Sequence, residues 1–511
     1  MLSSVASLGS DHTAPRQPIN RWPAVAFLFV SAAVTVWHVA FLYQGWLNLF
    51  FDEAQYWFWS TEPAFGYFSK PPMVAWIIYL TTSLLGDSEF AIKVGSPLVH
   101  CATSWLIFAL TRDLYGPKEA FWAGLGYLSL PAVAFSSAIV STDPPLLLFW
   151  AASLVCLHRA LTGGQWIWWV GLGVAIGLGM LSKYAMLFFL MGLVVHGLWS
   201  GSLTKLLHRR FALSVLIAGL IYLPNVLWNL DHGLVSYVHT GDNARLDRAG
   251  LRPGEFLAFV ASQALVFGPV FFGALVAILL RLFRSRSVSE RTGFLLSFSL
   301  PPLIFYSVLS LVSGANANWA VTAYVSAVPL VTATLYRHRK WWLYGALVLH
   351  AALAVALHEI PKSPQPFGFE LSARSDPLRR IRGWDEMGAQ VVALWKLYPE
   401  AKVLVTDRPS AAEFLYYARP APVVKWNADG DIDDHFDLVR GLRDEDTGRY
   451  LLVTDKSQPT DILARFERII SLGTLSAPRC CGDSMTYHAF LLSAFRGYGT
   501  ATDEQPTGRS H

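Results

Sequence analysis

The sequence predicts a polytopic membrane domain built of α-helices, about 11–13 of them, followed by a small C-terminal α/β domain. Three observations carry this. Of the 511 residues, 53% are hydrophobic and 14% aromatic while only 15% are charged; an average soluble domain carries about 25% charged residues. Apolar runs, each approaching the roughly 20 residues of helix that cross a bilayer, recur up to residue 358 and then stop. Past that point β-like runs alternate with helix-like ones in an ordinary soluble pattern. The net charge of +4 is small, and Lys and Arg fall in short clusters between apolar runs. That balance speaks for orientation in a bilayer and against a nucleic-acid partner.

In chain order, residues 1–20 are polar and rich in Ser and Pro, a disordered cytoplasmic N-terminus without a cleavage signal. The predicted spans are 22–45, 89–111, 118–136, 144–158, 166–181, 184–200, 211–228, 254–280, 292–312, 319–336 and 341–358. Every second loop is basic, as at Arg112, Lys118, Arg159, Lys205, Arg209, Arg210, Arg284, Arg337 and Lys340. The loops between them hold Asp52, Glu53, Asp87, Asp143 and Asp231. The positive-inside rule then places the N-terminus in the cytoplasm and everything after residue 360 outside. The membrane domain is 21–358, with outer loops 46–88 and 229–253; the outer α/β domain is 359–499, and 500–511 is a disordered tail.

In the first outer loop, residues 50–60 are dense in Tyr, Trp and Phe, which suits a helix lying at the headgroup level. Lys70 precedes two prolines, and a helix too short to span follows over 72–85. Beyond a linker at Pro361, Pro364 and Pro366, strands are expected at 402–407, 450–455 and 488–495, with helices over 384–398, 410–418 and 458–470. Cys101 and Cys156 lie in apolar runs and Cys480 and Cys481 are adjacent; the spacing favours four plain thiols, leaves a vicinal or intermolecular disulfide as the lesser alternative, and excludes a cysteine zinc site.

Charged residues at the edge of hydrocarbon cost several kcal/mol unless paired or facing a polar cavity, so each is a functional candidate. Asp52, Glu53, Lys70, Asp143 and Lys183 all map to the outer ends of the spans. Carboxylates can activate an acceptor and lysines can neutralise a departing phosphate. Each also has a plainer reading: Asp143 can cap the helix begun by Pro144 and Pro145, Lys183 can snorkel to the headgroups, and neighbours such as Asp52 and Glu53 point to different helix faces. The second long outer loop offers His232, His239, Arg245 and Arg248 as cations for an anionic ligand, the histidines also as metal ligands or as solvated loop residues. Tyr56 joins the substrate-facing candidates, and Asn318 and Trp319 supply an amide and an indole suited to sugar hydroxyls or to a helix cap and an interfacial anchor.

At DEAQYWFW (52–59), GYFSKPPMVAW (66–76), STDPPLLLFW (141–150), GLGMLSKYA (177–185) and ANWAVTAY (317–324), the chain resembles the bacterial GT-C glycosyltransferases related to protein O-mannosyltransferases. Within them it is most similar to the aminoarabinose and galacturonic acid transferases that modify lipid A or lipopolysaccharide core. The resemblance implies a polyprenyl-phosphate sugar donor, a lipid A or lipopolysaccharide core acceptor, inversion at the anomeric centre, and a site on the periplasmic face of the bacterial inner membrane. It makes Asp52 the catalytic carboxylate, Asp143 the second periplasmic aspartate and Lys70 a donor-phosphate contact; Lys183, Arg245 and Arg248 are further cations for that phosphate. Ser69 stands where the aminoarabinose transferases carry an acidic residue implicated in metal binding, so no metal or other cofactor is assigned. The competing readings are a polyprenyl-linked oligosaccharide ligase or polymerase, a lipid or sugar transporter, and a scaffold acting through its C-terminal domain. Charges gathered at one face favour an enzyme over a transporter, whose charges sit at mid-bilayer depth.

Overall fold

The computed structural model describes residues 21–201, 208–243, 250–285, 287–363, 368 and 372–498. The expected disordered ends, and Arg245 and Arg248, lie outside these residues. The helices are α1 (Trp22–Tyr43), α2 (Phe51–Thr61), α3 (Met73–Leu85), α4 (Glu89–Lys93), α5 (Gly95–Tyr115), α6 (Pro117–Leu128) and α7 (Pro131–Ser136). They continue with α8 (Asp143–Gly163), α9 (Trp166–Ser182), α10 (Leu187–Trp199), α11 (Arg209–Asp231), α12 (Val235–Asp242), α13 (Pro253–Val266) and α14 (Pro269–Ser285). The bundle closes with α15 (Glu290–Val312), α16 (Thr322–His338) and α17 (Lys340–Glu359). Among the described residues, six helices, counting α4 and α5 as one, are long and apolar enough to cross a membrane, seven if α13 and α14 form one bent span; α3, α9 and α10 are shorter and apolar. The chain is a multi-pass membrane protein.

Two expected spans are broken, each at a proline. The run 118–136 divides into α6 and α7 ahead of Pro131, because the residue before proline is driven out of the helical region. The run 254–280 divides at Gly268, where α13 and α14 meet at 113°. Gly268 has φ +83°, and a Cβ there would lie 1.8 Å from the His350 ring. Only glycine fits a left-handed corner so tightly packed, and Pro269 starts the next helix at its first turn. Elsewhere α5, α8, α9, α10, α15 and α16 wrap one apolar core around Trp150, Phe189, Phe298 and Tyr324.

After residue 372 the chain forms α18 (Trp384–Trp395), α19 (Arg408–Tyr417) and α20 (His435–Arg440) around a five-stranded sheet of order β2-β1-β3-β5-β4. Its strands are β1 (Ala401–Val405), β2 (Val423–Lys425), β3 (Arg449–Thr454), β4 (Phe466–Pro478) and β5 (Ser484–Phe495). β1 runs parallel to β2 and β3, whereas β5 is antiparallel to β3 and β4. The helix expected over 458–470 is only Thr460–Leu463; β4 takes the rest, with Ile469 opposite Leu492 and Ile470 opposite Leu491. Long-range pairing and the β-branched isoleucines outweigh local helical preference there. In the turn after β4, Cys480 and Cys481 form a disulfide, where plain thiols were expected.

The α/β part is not a separate bead. One apolar cluster joins Trp57, Trp59, Val74 and Ile78 of α2 and α3 to Phe414, Tyr416, Val403 and Tyr487 of the sheet domain. The Tyr417 hydroxyl bonds the Leu49 amide at 2.6 Å and also Glu89, Arg419 pairs with Asp87, and the Arg419 guanidinium lies 4.7 Å above the Trp57 ring. This interface holds α2 across the end of the helix bundle.

Candidate active site

α8 and α9 form a hairpin whose turn at Gly164 is left-handed, φ +65°. Asp143 at the start of α8 and Lys183 just after α9 therefore return to the same end of the bundle. Lys183 Nζ donates to Asp143 Oδ1 at 2.7 Å, and Asn318 Nδ2 donates to Oδ2 at 2.7 Å. Asp143 is only 7% exposed and both its oxygens are engaged. Its position opening α8 is compatible with a cap, but its side chain instead fastens Lys183 and the turn that carries Asn318.

Asp52 and Glu53, adjacent in α2, part company. Glu53 is 1% exposed; Oε2 accepts from the Phe50 amide at 2.8 Å and Oε1 from the Val140 amide at 2.6 Å, with Lys93 Nζ 3.4 Å from Oε2. The expected place of Glu53 among the substrate-facing residues is thus corrected: its carboxylate is sealed inside the protein. The Asp52 side chain is 36% exposed and meets Arg408 of α19, whose Nη2 donates to Asp52 Oδ1 while Nε donates to Gln55 Oε1 at 2.6 Å. Tyr56, one turn on, is buried; burial, and then the charge of Asp52, push its phenol well above the usual range. The phenol stays a proton-bearing donor.

Lys70 enters the same cluster from the loop before α3. Burial, and then the nearby Lys183 ammonium, lower its pKa to about 8, against the pull of Asp52 and Asp143. Among the described residues its ammonium has no carboxylate partner. Lys70, Lys183 and Trp319 line a cavity of about 430 Å³ whose other wall is apolar, including Leu187, Phe188 and Met191. A second cavity of about 500 Å³ is lined by Asp143 and Asn318 and runs past Tyr127, Leu147 and Tyr324.

The second loop contributes less than its composition suggests. His239 stands beside Phe68, ring centres 5.3 Å apart, and burial followed by the charges of Lys70 and Arg408 lowers its pKa to about 4. It is neutral near pH 7, which corrects the expectation of a cation. His232 is exposed, stacked 4.1 Å from Trp228 with Nδ1 on the Trp228 carbonyl, and does not line the Lys70 cavity. Among the described residues no group of three or more His, Cys, Asp or Glu side chains is placed to hold a metal ion.

Arg408 is the residue that the sequence reading missed. It opens α19 directly after β1, where Asp407 caps the helix through the Ser410 amide at 2.9 Å. The signal was present in TDRPS (406–410): the carboxyl end of a parallel strand, before a helix start, is where α/β domains place functional groups.

Known proteins resemble this chain in sequence and in fold. The family model "dolichyl-phosphate-mannose-protein mannosyltransferase" matches residues 69–228. The lipid A galacturonosyltransferase RgtD of Rhizobium johnstonii is 32% identical over 437 residues, 84% of this chain and 90% of that protein. An undecaprenyl phosphate-alpha-4-amino-4-deoxy-L-arabinose arabinosyl transferase of Pseudomonas fluorescens is 28% identical over 256 residues, 47% of this chain and 43% of that one. The crystal structure of ArnT from Cupriavidus metallidurans bound to undecaprenyl phosphate superposes with a TM-score of 0.62 at 14% identity, covering 92% of this chain and 98% of that one.

Proposed function

Since the chain belongs to the family of GT-C membrane glycosyltransferases that includes the lipid A galacturonosyltransferase RgtD, we propose that it moves a galacturonic acid or aminoarabinose class sugar from a polyprenyl phosphate to lipid A or lipopolysaccharide core. The observation that carries this reading is the Lys70 cavity: two ammonium groups at its polar end, an apolar wall below, and Asp52 and Arg408 in the same charge cluster. An amphipathic donor with a phosphate head and a hydrocarbon tail matches that division. Leu187 and Met191, 53% and 44% exposed, continue the apolar wall toward lipid.

In the proposed step Lys70 and Lys183 bind the phosphate, and Asp52 takes the proton of an acceptor hydroxyl. The acceptor oxygen attacks the anomeric carbon opposite the phosphate, which inverts that centre. Asp143 acts one step removed, holding Lys183 and Asn318 in place. The cavity beyond Asp143 is apolar along Leu147, Val325 and Leu265 and suits acyl chains of the acceptor. The basic loops favour a cytoplasmic N-terminus and a site on the periplasmic face of the inner membrane; a reporter fused after Ser410 should be active only outside the cytoplasm.

The deciding experiment is mass spectrometry of lipid A and core from cells with and without the gene. A difference of one uronic acid or one aminopentose supports the reading, and unchanged lipids overturn it.

A further inference from the structure

We infer that Arg408 of the α/β domain is the charge partner that passes from Asp52 to the leaving phosphate as the sugar is transferred. This rests on the reading of Asp52 as the base. The geometry supplies three facts. Arg408 is held to α2 by Gln55 at 2.6 Å and by Asp52, and its guanidinium lies 5.0 Å above the Phe51 ring. Its side chain is 32% exposed, and its Nη1 has no protein acceptor among the described residues. It also belongs to the group of charges, with Asp52, Asp143 and Lys183, that acts on Lys70.

Among the described residues, the charges of this cluster pair differently at the two ends of the reaction. At rest Asp143 neutralises Lys183 and Asp52 neutralises Arg408, while Glu53 and Lys93 cancel each other behind the site. His239 is neutral, so among the described residues of this cluster Lys70 is the cation without a carboxylate partner, its charge equal and opposite to that of a donor phosphodiester. During transfer the acceptor hydroxyl gives its proton to Asp52, its oxygen bonds to the anomeric carbon, and the pair of the breaking carbon–oxygen bond stays on the phosphate. The donor phosphate thereby becomes a monoester with a second negative charge, and Asp52 becomes neutral. Arg408 loses its counter-charge at the moment the phosphate gains one. A guanidinium whose outer edge has no protein acceptor among the described residues can turn that edge to the phosphate, and charge-assisted bonds to phosphate are among the strongest it makes. When Asp52 gives up its proton, the resting pair re-forms and the phosphate is released.

The test measures binding of undecaprenyl phosphate, a monoester, to purified full-length protein in lipid nanodiscs, alongside transfer rates. Asp52→Asn frees Arg408 permanently, so it should bind the monoester about tenfold more tightly than the unmutated protein, of the order of one charge-assisted hydrogen bond. Asp52→Asn/Arg408→Gln should lose that gain. In the Asp52 background Arg408→Gln should lower kcat about a hundredfold with the donor KM changed less than about threefold, and Arg408→Lys should restore part of kcat. If Arg408→Gln fails to fold, as a melting curve will show, Arg408→Lys in the Asp52→Asn background must reduce the gain. A gain that survives loss of Arg408, or an Arg408→Gln defect confined to KM, overturns the inference. An Asp52→Asn protein that is inactive yet binds no more tightly also refutes the role of Arg408, whereas one that transfers sugar normally refutes Asp52 as the base.

Discussion

Lys70 gives the sharpest quantitative expectation, because it combines a lowered pKa with an ammonium that has no carboxylate partner among the described residues. Burial and Lys183 bring it to about 8. In the donor-free protein it is therefore about nine-tenths charged at pH 7 and about one-tenth charged at pH 9. The groups that face it are Lys183, Asp52, Arg408 and Asp143, with neutral His239 alongside. The charged form binds donor, so kcat/KM for the donor should fall up to about tenfold between pH 7 and 9, and saturating donor should move that fall to higher pH. Lys70→Arg keeps its charge across this range and should flatten the fall, although a planar guanidinium fits the site less well and lowers the plateau. Lys70→Met removes a contact worth about 2–4 kcal/mol at the barrier, a hundredfold or more in rate. The assay is transfer from a radiolabelled polyprenyl-phosphate sugar in nanodiscs across that pH range. An unchanged fall in Lys70→Arg, or near-normal turnover by folded Lys70→Met, would remove Lys70 from the donor site.

Asp52→Asn should lose transfer by about 10²–10⁴-fold, the range of a positioned acid or base, with an unchanged melting temperature. Tyr417→Phe deletes the bonds to the Leu49 amide and Glu89 and should cost about 1–3 kcal/mol, read as earlier proteolysis between α2 and the α/β domain. Glu413 of α19 is fully buried with neither oxygen bonded among the described residues; burial, and then Glu53, raise its pKa well above the carboxylate range, with Glu89, Asp52 and Lys93 also acting on it. Folded protein then binds the Glu413 proton more tightly than unfolded, so stability falls as pH rises from about 4.5 toward that raised value. Glu413→Gln removes this slope, and its melting temperature should gain on that of the unmutated protein as pH rises.

Much of this was legible in the sequence because membrane insertion imposes simple patterns. Length, hydropathy and alternating loop charge located the long helices, and charges stranded at span ends located Asp52, Lys70, Asp143 and Lys183, which the structure does gather. Breaks within apolar runs were not legible: hydropathy sums over a window and is blind to the corners at Gly268 and Pro131. The Asp143–Asn318 bond, spanning 175 residues, and Arg408, reaching Asp52 across 356, depend on tertiary packing that no local pattern encodes. β4 was misread for the same reason, since its conformation is set by β5.

The sequence put both Asp52 and Glu53 at the site, and the burial of Glu53 explains why both acids are there. Glu53 closes the first turn of α2 on the Phe50 amide and ties that turn to the Val140 amide just before α8. Lys93, itself 2% exposed, balances its charge and reaches the Leu47 and Asn48 carbonyls at 3.2 and 2.8 Å. α2 is thereby fixed against the segment leading to Asp143, and its next-door residue Asp52 is left on the open face. A buried ion pair adds little net stability, but breaking one strands a buried charge at a cost of about 3–5 kcal/mol. Glu53→Gln should therefore destabilise the protein by several kcal/mol and lower transfer through misplacement of Asp52. The paired change Glu53→Gln/Lys93→Met leaves no stranded charge and should recover most of the stability but not the rate. A side-chain amide has a single acceptor oxygen, so it can replace the carboxylate on the Phe50 amide or on the Val140 amide but not on both. Full recovery of stability and rate together would show that Glu53 serves only to offset Lys93 and does not aim Asp52.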